Sequence, residues 1–227
     1  MSYYIQESFL SPGLASSYIQ SKDVGQRRLF MMWLFSIKAD MSLKARLAVR
    51  GGLCQPVIDY NPEDVYCGNV TATSIKIFIA LSALYGLILR GGGLVGAYLG
   101  TPGSRDFVLC MSTPEGFVTP PGMVLQVLGN LYGLPSSGCN FSKAVDVIVL
   151  KLGYKNTPYD PKFFCKWIDR MPILVMFHSD DFRWCGPPNM HSVNPFTKEL
   201  RIIRCVLVAK LENNDIHSFA KVLLQMD

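Results

Sequence analysis

The sequence predicts an α+β domain, and three observations carry that reading. Segments that alternate apolar and polar residues, the mark of a strand, lie between Trp33 and Arg50 and again between Phe163 and Cys185. Two others, Thr73 to Leu84 and Ser142 to Leu152, repeat apolar residues at helical spacing. Helices are interspersed among strands that turn back on themselves, which favours α+β over a regular βαβ repeat.

Taken in order, residues 1–28 are polar and weakly patterned, and are expected to form an extension that wraps the body. Trp33, Phe35 and Ile37 alternate with Leu34, Ser36 and Lys38 to give a strand. After a turn at Ala39 to Leu43, the segment Lys44 to Arg50 alternates again and stops at Gly51-Gly52. Together they read as a hairpin with basic side chains on one face. Thr73 to Leu84 is a helix, with Thr73 or Ser74 expected as its cap. Leu87-Ile88-Leu89 reads as a strand running into Gly91-Gly92-Gly93, and Phe107 to Met111 as a short strand. Met123 to Tyr132 follows as a strand that turns at Gly133, and Ser142 to Leu152 as an amphipathic helix. Phe163 to Trp167 and Ile173 to Phe177 form two strands, the second delivering His178-Ser179-Asp180-Asp181 into a turn. Phe182 to Cys185 returns from it, Pro195 to Leu207 reads as a helix, and the remainder is mixed. No internal repeat is visible.

Composition narrows the class. With 227 residues, 49% of them hydrophobic, and 13 Phe, 10 Tyr and 3 Trp, the chain buries a sizeable core and is not a disordered, collagenous or coiled-coil protein. The longest apolar runs, Leu29 to Ile37 and Ile77 to Leu89, fall short of the roughly 20 residues a spanning helix needs. Met1 to Tyr18 carries Glu7 and no early Lys or Arg, which argues against a secretory signal. Seven scattered cysteines without a C-x-x-C pair favour a reduced chain over a disulfide framework or a zinc site. The expected location is intracellular, cytoplasmic or nuclear.

The formal net charge of +5 is mild, but it is concentrated. Residues 21–50 hold seven basic side chains against two acidic ones. Such a stretch on an otherwise neutral chain suits a polyanion-facing surface, although a solvated face has the same composition.

The second chemical signal is the pair Asp180-Asp181. Two adjacent carboxylates at the end of an apolar strand repel each other unless something neutralises them. Two-metal phosphoryl-transfer sites do so, with divalent ions roughly 3.5 to 4 Å apart. Hairpin turns also favour Asp for backbone reasons, so the pair alone is weak. Gly91-x-Gly93-x-x-Gly96 fits a dinucleotide fingerprint after an apolar strand, yet the acid it requires, Glu115, sits in a Pro-Glu-Gly loop.

Read together, the segment from Trp33 to Gly186 resembles the reverse transcriptase of copia-type LTR retrotransposons. The anchors are Trp33-x-Phe35-x-Ile37-Lys38, Lys44-Ala45-Arg46-Leu47 to Arg50-Gly51, Ile58-Asp59-Tyr60, Ser74-Ile75-Lys76 and Ala97-Tyr98-Leu99. They continue with Pro114-Glu115-Gly116-Phe117, Leu131-Tyr132-Gly133-Leu134, Leu152-Gly153-Tyr154, Asp160-x-x-Phe163-Phe164 and Asp180-Asp181 to Gly186. Each is common alone; their number and order are specific.

The departures bear on function. The resemblance places the family's first catalytic aspartate four residues before Ala97-Tyr98-Leu99, and that position is Gly93, with no acid from Gly91 to Gly100. The family's aromatic residue before the Asp-Asp turn is His178 here, where a proton-shuttling role and a tolerated substitution both stand, and Ser179 replaces an apolar residue. The family's Lys-Gln-Ala-Pro-Arg, near the incoming nucleotide, is Pro135-Ser136-Ser137-Gly138-Cys139.

The resemblance implies reverse-transcriptase-like fingers and palm, the palm of split βαβ (ferredoxin-like) type. It implies an N-terminal extension at 1–28, a fingers-like region at 29–90, a palm-like region at 91–190 and a helical or mixed segment at 191–227. Asp180 and Asp181 are the relic catalytic and metal-binding pair, with Mg2+ as cofactor if the site is active. Lys44, Arg46 and Arg50 are the nucleic-acid-binding candidates, facing RNA or DNA through phosphates. The expectation is a catalytically impaired module that binds nucleic acid or a protein partner; the alternative is an active RNA-directed DNA polymerase using Asp180 and Asp181.

Overall fold

The computed structural model describes residues 16–20, 27–39, 41–93, 97–99, 101 and 108–188. The expected helix at Pro195 to Leu207 and the 191–227 segment lie outside them. In chain order the elements are β1 (Ser16–Gln20), β2 (Met31–Ile37), β3 (Leu43–Val49), α1 (Ala72–Leu84), β4 (Ile88–Gly93), β5 (Cys110–Met111), β6 (Met123–Val127), α2 (Ser137–Lys151), β7 (Lys155–Thr157), β8 (Asp160–Ile168), β9 (Met171–His178) and β10 (Asp181–Gly186). Helix and strand are mixed and the strand ladders are antiparallel, as the α+β reading expects.

The chain divides into two compact units. The first holds the described residues within 1–66 and 98–141, the second those within 67–97 and 142–188. This division does not follow the contiguous spans 29–90 and 91–190. α1 and β4 stand in the second unit because β4 takes its ladder partner, β10, from far along the chain.

In the first unit the β2–β3 hairpin pairs Met31 with Val49, Trp33 with Leu47 and Ile37 with Leu43. Alternation puts these residues on one face, and its inner end meets a core of Leu29, Leu47, Val49, Met111, Leu125 and Leu131. β1 arises inside the stretch expected to be an irregular extension. It pairs antiparallel with β6, Ser16 against Val127 through Gln20 against Met123. β6 stops at Val127 where a strand to Tyr132 was expected. Beyond it the chain bends, with the Ser137 hydroxyl accepting from Leu131 N–H (3.1 Å) and donating to Leu131 C=O (2.7 Å). Gly133 lies at φ +81, and a Cβ there would run into the Val49 carbonyl, so only glycine fits the turn. α2 begins at Ser137, five residues before the periodic stretch, because Gly138 and Asn140 weaken the local helical signal.

In the second unit five strands lie in the order β4-β10-β9-β8-β7. β9 is buried from Pro172 to Phe177 and occupies the middle of the sheet. It therefore reads as a continuous apolar run, not an alternation. β8 and β9 join through Asp169 and Arg170, both at positive φ, the conformation of a two-residue type I′ turn. α1 packs Phe78 against Phe163, Leu174, Met176 and Cys185. Its cap is Thr71, not Thr73 or Ser74: Thr71 is extended, and its hydroxyl accepts from Ser74 N–H at 3.2 Å.

Candidate functional site

The Asp180-Asp181 turn is built by the β9–β10 hairpin. β9 brings a fully buried apolar run to the exposed His178, two residues make the turn, and Asp181 opens β10 opposite His178. Ser179 adopts φ +55, in the left-handed region, and its N–H donates to the Asn69 side-chain oxygen at 3.1 Å. Asp180 is half-buried and Asp181 exposed. On the other side of β10, Asp181 is paired with Gly93, the last residue of β4. The carboxylate pair and the position that the resemblance gives to a third acid thus meet across one ladder.

The neighbouring glycines have packing reasons of their own. Gly92 lies opposite Phe182 and Gly91 opposite Arg183. A Cβ on Gly92 would sit 2.8 Å from the Phe182 ring, and one on Gly91 would sit 2.6 Å from Arg183 Cδ. Both side chains lie over the strand that the glycines leave bare. The triple glycine at 91–93 therefore answers a steric demand at two of its three positions.

A magnesium ion is a hard cation that takes about six oxygen ligands in near-octahedral geometry. The turn offers two adjacent carboxylates, and Gly93 across from them has no side chain to add. Among the described residues no group of three or more His, Cys, Asp or Glu side chains is placed to hold an ion. The donor set described does not fit a two-metal centre, and no reaction step is derived through one.

The three predicted basic residues occupy alternate positions along β3 and just past its end. Lys44 stands opposite Ser36 and Arg46 opposite Leu34. The Arg46 guanidinium lies 5.3 Å from the centre of the Tyr132 ring, a cation–π contact. Arg50 is exposed, and its N–H donates to Phe30 C=O at 2.8 Å. The fourth residue of that row, Ala48, is only 2% exposed and pairs with Met32. The expected basic face is therefore interrupted where β3 enters the core.

One feature of this unit escaped the linear reading. Phe35, Trp33 and Phe117 stack in series, with ring centres 6.0 and 6.1 Å apart, and the Trp33 indole N–H donates to Glu115 C=O at 3.1 Å. They line an open groove of about 550 Å3 that continues along Ile37, Leu43 and Lys44. Both stretches were legible as anchors. Nothing local signals that residues so far apart in the chain converge.

Two other anchor aspartates prove to be structural. Asp160 is buried, accepts Thr71 N–H at 2.8 Å and Lys162 N–H at 2.9 Å, and so holds the N-terminus of α1 on β8. Burial alone would raise its pKa. Hydrogen bonds from Ser74, the Thr71 and Lys162 amides and the Thr71 hydroxyl outweigh it and hold the carboxyl below the usual range. Asp59 accepts Arg27 Nε at 2.8 Å and Nη2 at 2.5 Å in a two-pronged pair, and also accepts Gln55 N–H at 2.7 Å. The Arg27 hydrogen bonds, against the opposing effect of burial, hold the Asp59 carboxyl below its ordinary value.

Among the described residues no helix is long and apolar enough to cross a membrane. A family model described as reverse transcriptase (RNA-dependent DNA polymerase) matches residues 18–205. No curated protein matches the chain.

Proposed function

Because the chain belongs to the reverse transcriptase (RNA-dependent DNA polymerase) family, we propose that it is a degenerate domain of copia type that has lost polymerase chemistry and serves as a nucleic-acid-binding or protein-interaction module. The pairing of Asp181 with Gly93 carries this reading. Glycine at that point of the ladder supplies no oxygen, and two carboxylates hold a hard cation loosely. The replacement of the nucleotide-platform motif by Pro135 to Cys139 weighs in the same direction. On this reading the hairpin unit corresponds to fingers and the five-stranded unit to palm, and Lys44, Arg46 and Arg50 supply weak, phosphate-mediated contacts to RNA or DNA.

The second reading is an active RNA-directed DNA polymerase that uses Mg2+ at Asp180 and Asp181. What favours it is the turn itself, which keeps both carboxylates at the end of a buried strand. Primer extension on an RNA template, with Mg2+ and then Mn2+, separates the two. The impaired module yields no template-dependent incorporation. Incorporation that Asp180→Ala abolishes would overturn it in favour of the enzyme.

A further inference from the structure

β2 is an unusual strand for a protein surface. Its seven residues, Met31-Met32-Trp33-Leu34-Phe35-Ser36-Ile37, include no charge, proline or glycine. Among the described residues it has one ladder partner, β3, so its second edge is unpaired. Both faces are open: Met32 and Leu34 are exposed on one, and Phe35 (76%) and Ile37 (64%) on the other. Natural sheets blunt such edges with Lys, Pro or bulges, because unpaired N–H and C=O groups on a flat apolar strand template another strand. A two-stranded hairpin is also marginal without a third strand to cover it.

We infer that β2 is a homotypic docking edge, through which two copies of this chain pair their β2 strands antiparallel about a twofold axis at Leu34. The strand's own composition selects a second copy as the occupant: an uncharged edge has nothing with which to recognise a phosphate or an acidic peptide, but it matches itself. The register follows from the sequence. With the axis at Leu34, Trp33 faces Phe35 of the second copy, Met31 faces Ile37, Met32 faces Ser36, and Lys38 falls against Phe30. No like charges oppose one another from Phe30 to Lys38. Moving the axis one residue back, to Trp33, would set Arg28 against Lys38. With the axis at Leu34 each apolar face continues into its twin, as an isologous interface requires, and two hairpins merge into one four-stranded sheet. Phe35 of the second copy then lies beside Trp33 and lengthens the Phe35–Trp33–Phe117 stack.

The test is sedimentation and light scattering of the full chain over about a hundredfold range of concentration. Wild type should pass from monomer to dimer. Leu34→Glu places like charges face to face across the axis while facing Arg46 within its own hairpin, so it should keep the native circular dichroism and dimerise at least about tenfold more weakly. Register is read by oxidative crosslinking above the wild-type background. Leu34→Cys should form an intermolecular disulfide, whereas Ser36→Cys, which faces Met32, should not. A wild type that stays monomeric, a Leu34→Glu variant that dimerises as wild type does, or equal crosslinking at positions 34 and 36 would each overturn the proposal. None of these readouts depends on polymerase activity.

Discussion

Asp181 and Gly93 face each other across the β4–β10 ladder, so the residue that opens the acidic strand is set against one with no side chain. Neighbouring strands lie about 4.8 Å apart, which brings the Gly93 backbone within reach of the turn but leaves it nothing to donate to a metal. That relationship separates this turn from a three-carboxylate site and gives the first prediction.

Gly93→Asp should lower the melting temperature in metal-free buffer, because like charges directly opposite on a ladder are destabilising by about 0.2 to 1 kcal/mol. Mg2+ or Mn2+ should restore it by binding the three carboxylates. Primer extension should remain absent, since Pro135 to Cys139 still replace the nucleotide platform. Thermal melts with and without metal check the first part. Template-dependent incorporation by this variant would refute the second.

Gly92→Val should destabilise the second unit by about 1 to 3 kcal/mol, as overpacking against a buried ring does. The added Cβ would approach the buried Phe182 ring to 2.8 Å. Urea unfolding measures the loss. A stability unchanged from wild type would mean that the ring does not cover Gly92.

Gly133→Ala should cost at least about 2 kcal/mol, because φ +81 is strained for alanine and its methyl group meets the Val49 carbonyl. The same melts report it. Tolerance of alanine there would contradict the turn as described.

Asp160→Asn should lose about 1 to 3 kcal/mol at pH 7, the range for breaking hydrogen bonds to a buried charged group. The sign with pH follows from a carboxyl held below its ordinary value. Its contribution is complete above the unfolded carboxylate pKa of about 3.9 and disappears as pH falls through the lower folded value. The gap between wild type and variant in urea midpoint should therefore close in that acidic window. A gap that persists unchanged there would remove the charge from the explanation.

Replacing Lys44, Arg46 and Arg50 together by Ala should flatten the salt dependence of RNA or DNA binding. Three phosphate contacts allow a log–log slope no steeper than about −3 on duplex. The Arg46 contribution carries a packing component as well, since its guanidinium rests over Tyr132, so Arg46→Ala alone should lower stability by about 0.5 to 1 kcal/mol. Fluorescence anisotropy across a salt series checks the slope. Wild-type protein that binds no nucleic acid at low ionic strength would leave the protein-interaction reading by itself.

Much of the architecture was legible from residues alone. The period-two alternation at Trp33 to Ile37 and Lys44 to Arg50, the apolar run that ends at Asp180-Asp181, and the helical spacing in α1 each express a preference held within one segment, and all three elements form. The colinear anchors pointed to the family, because their order survives even where single residues have drifted. Other features depended on partners distant in the chain. β1 is polar and exists through its ladder with β6, and α2 begins at Ser137 through a hydroxyl bonded to Leu131. Asp160 holds the start of α1 from another strand, Trp33 finds Phe117 across a groove, and Ala48 breaks the basic row by entering the core. The physical reason is one of range. Periodicity, turn chemistry and charge density are properties of neighbours along the chain, whereas the ladder that sets Gly93 against Asp181, and the contacts that turn anchor residues into caps and stacks, arise only when remote segments are brought together.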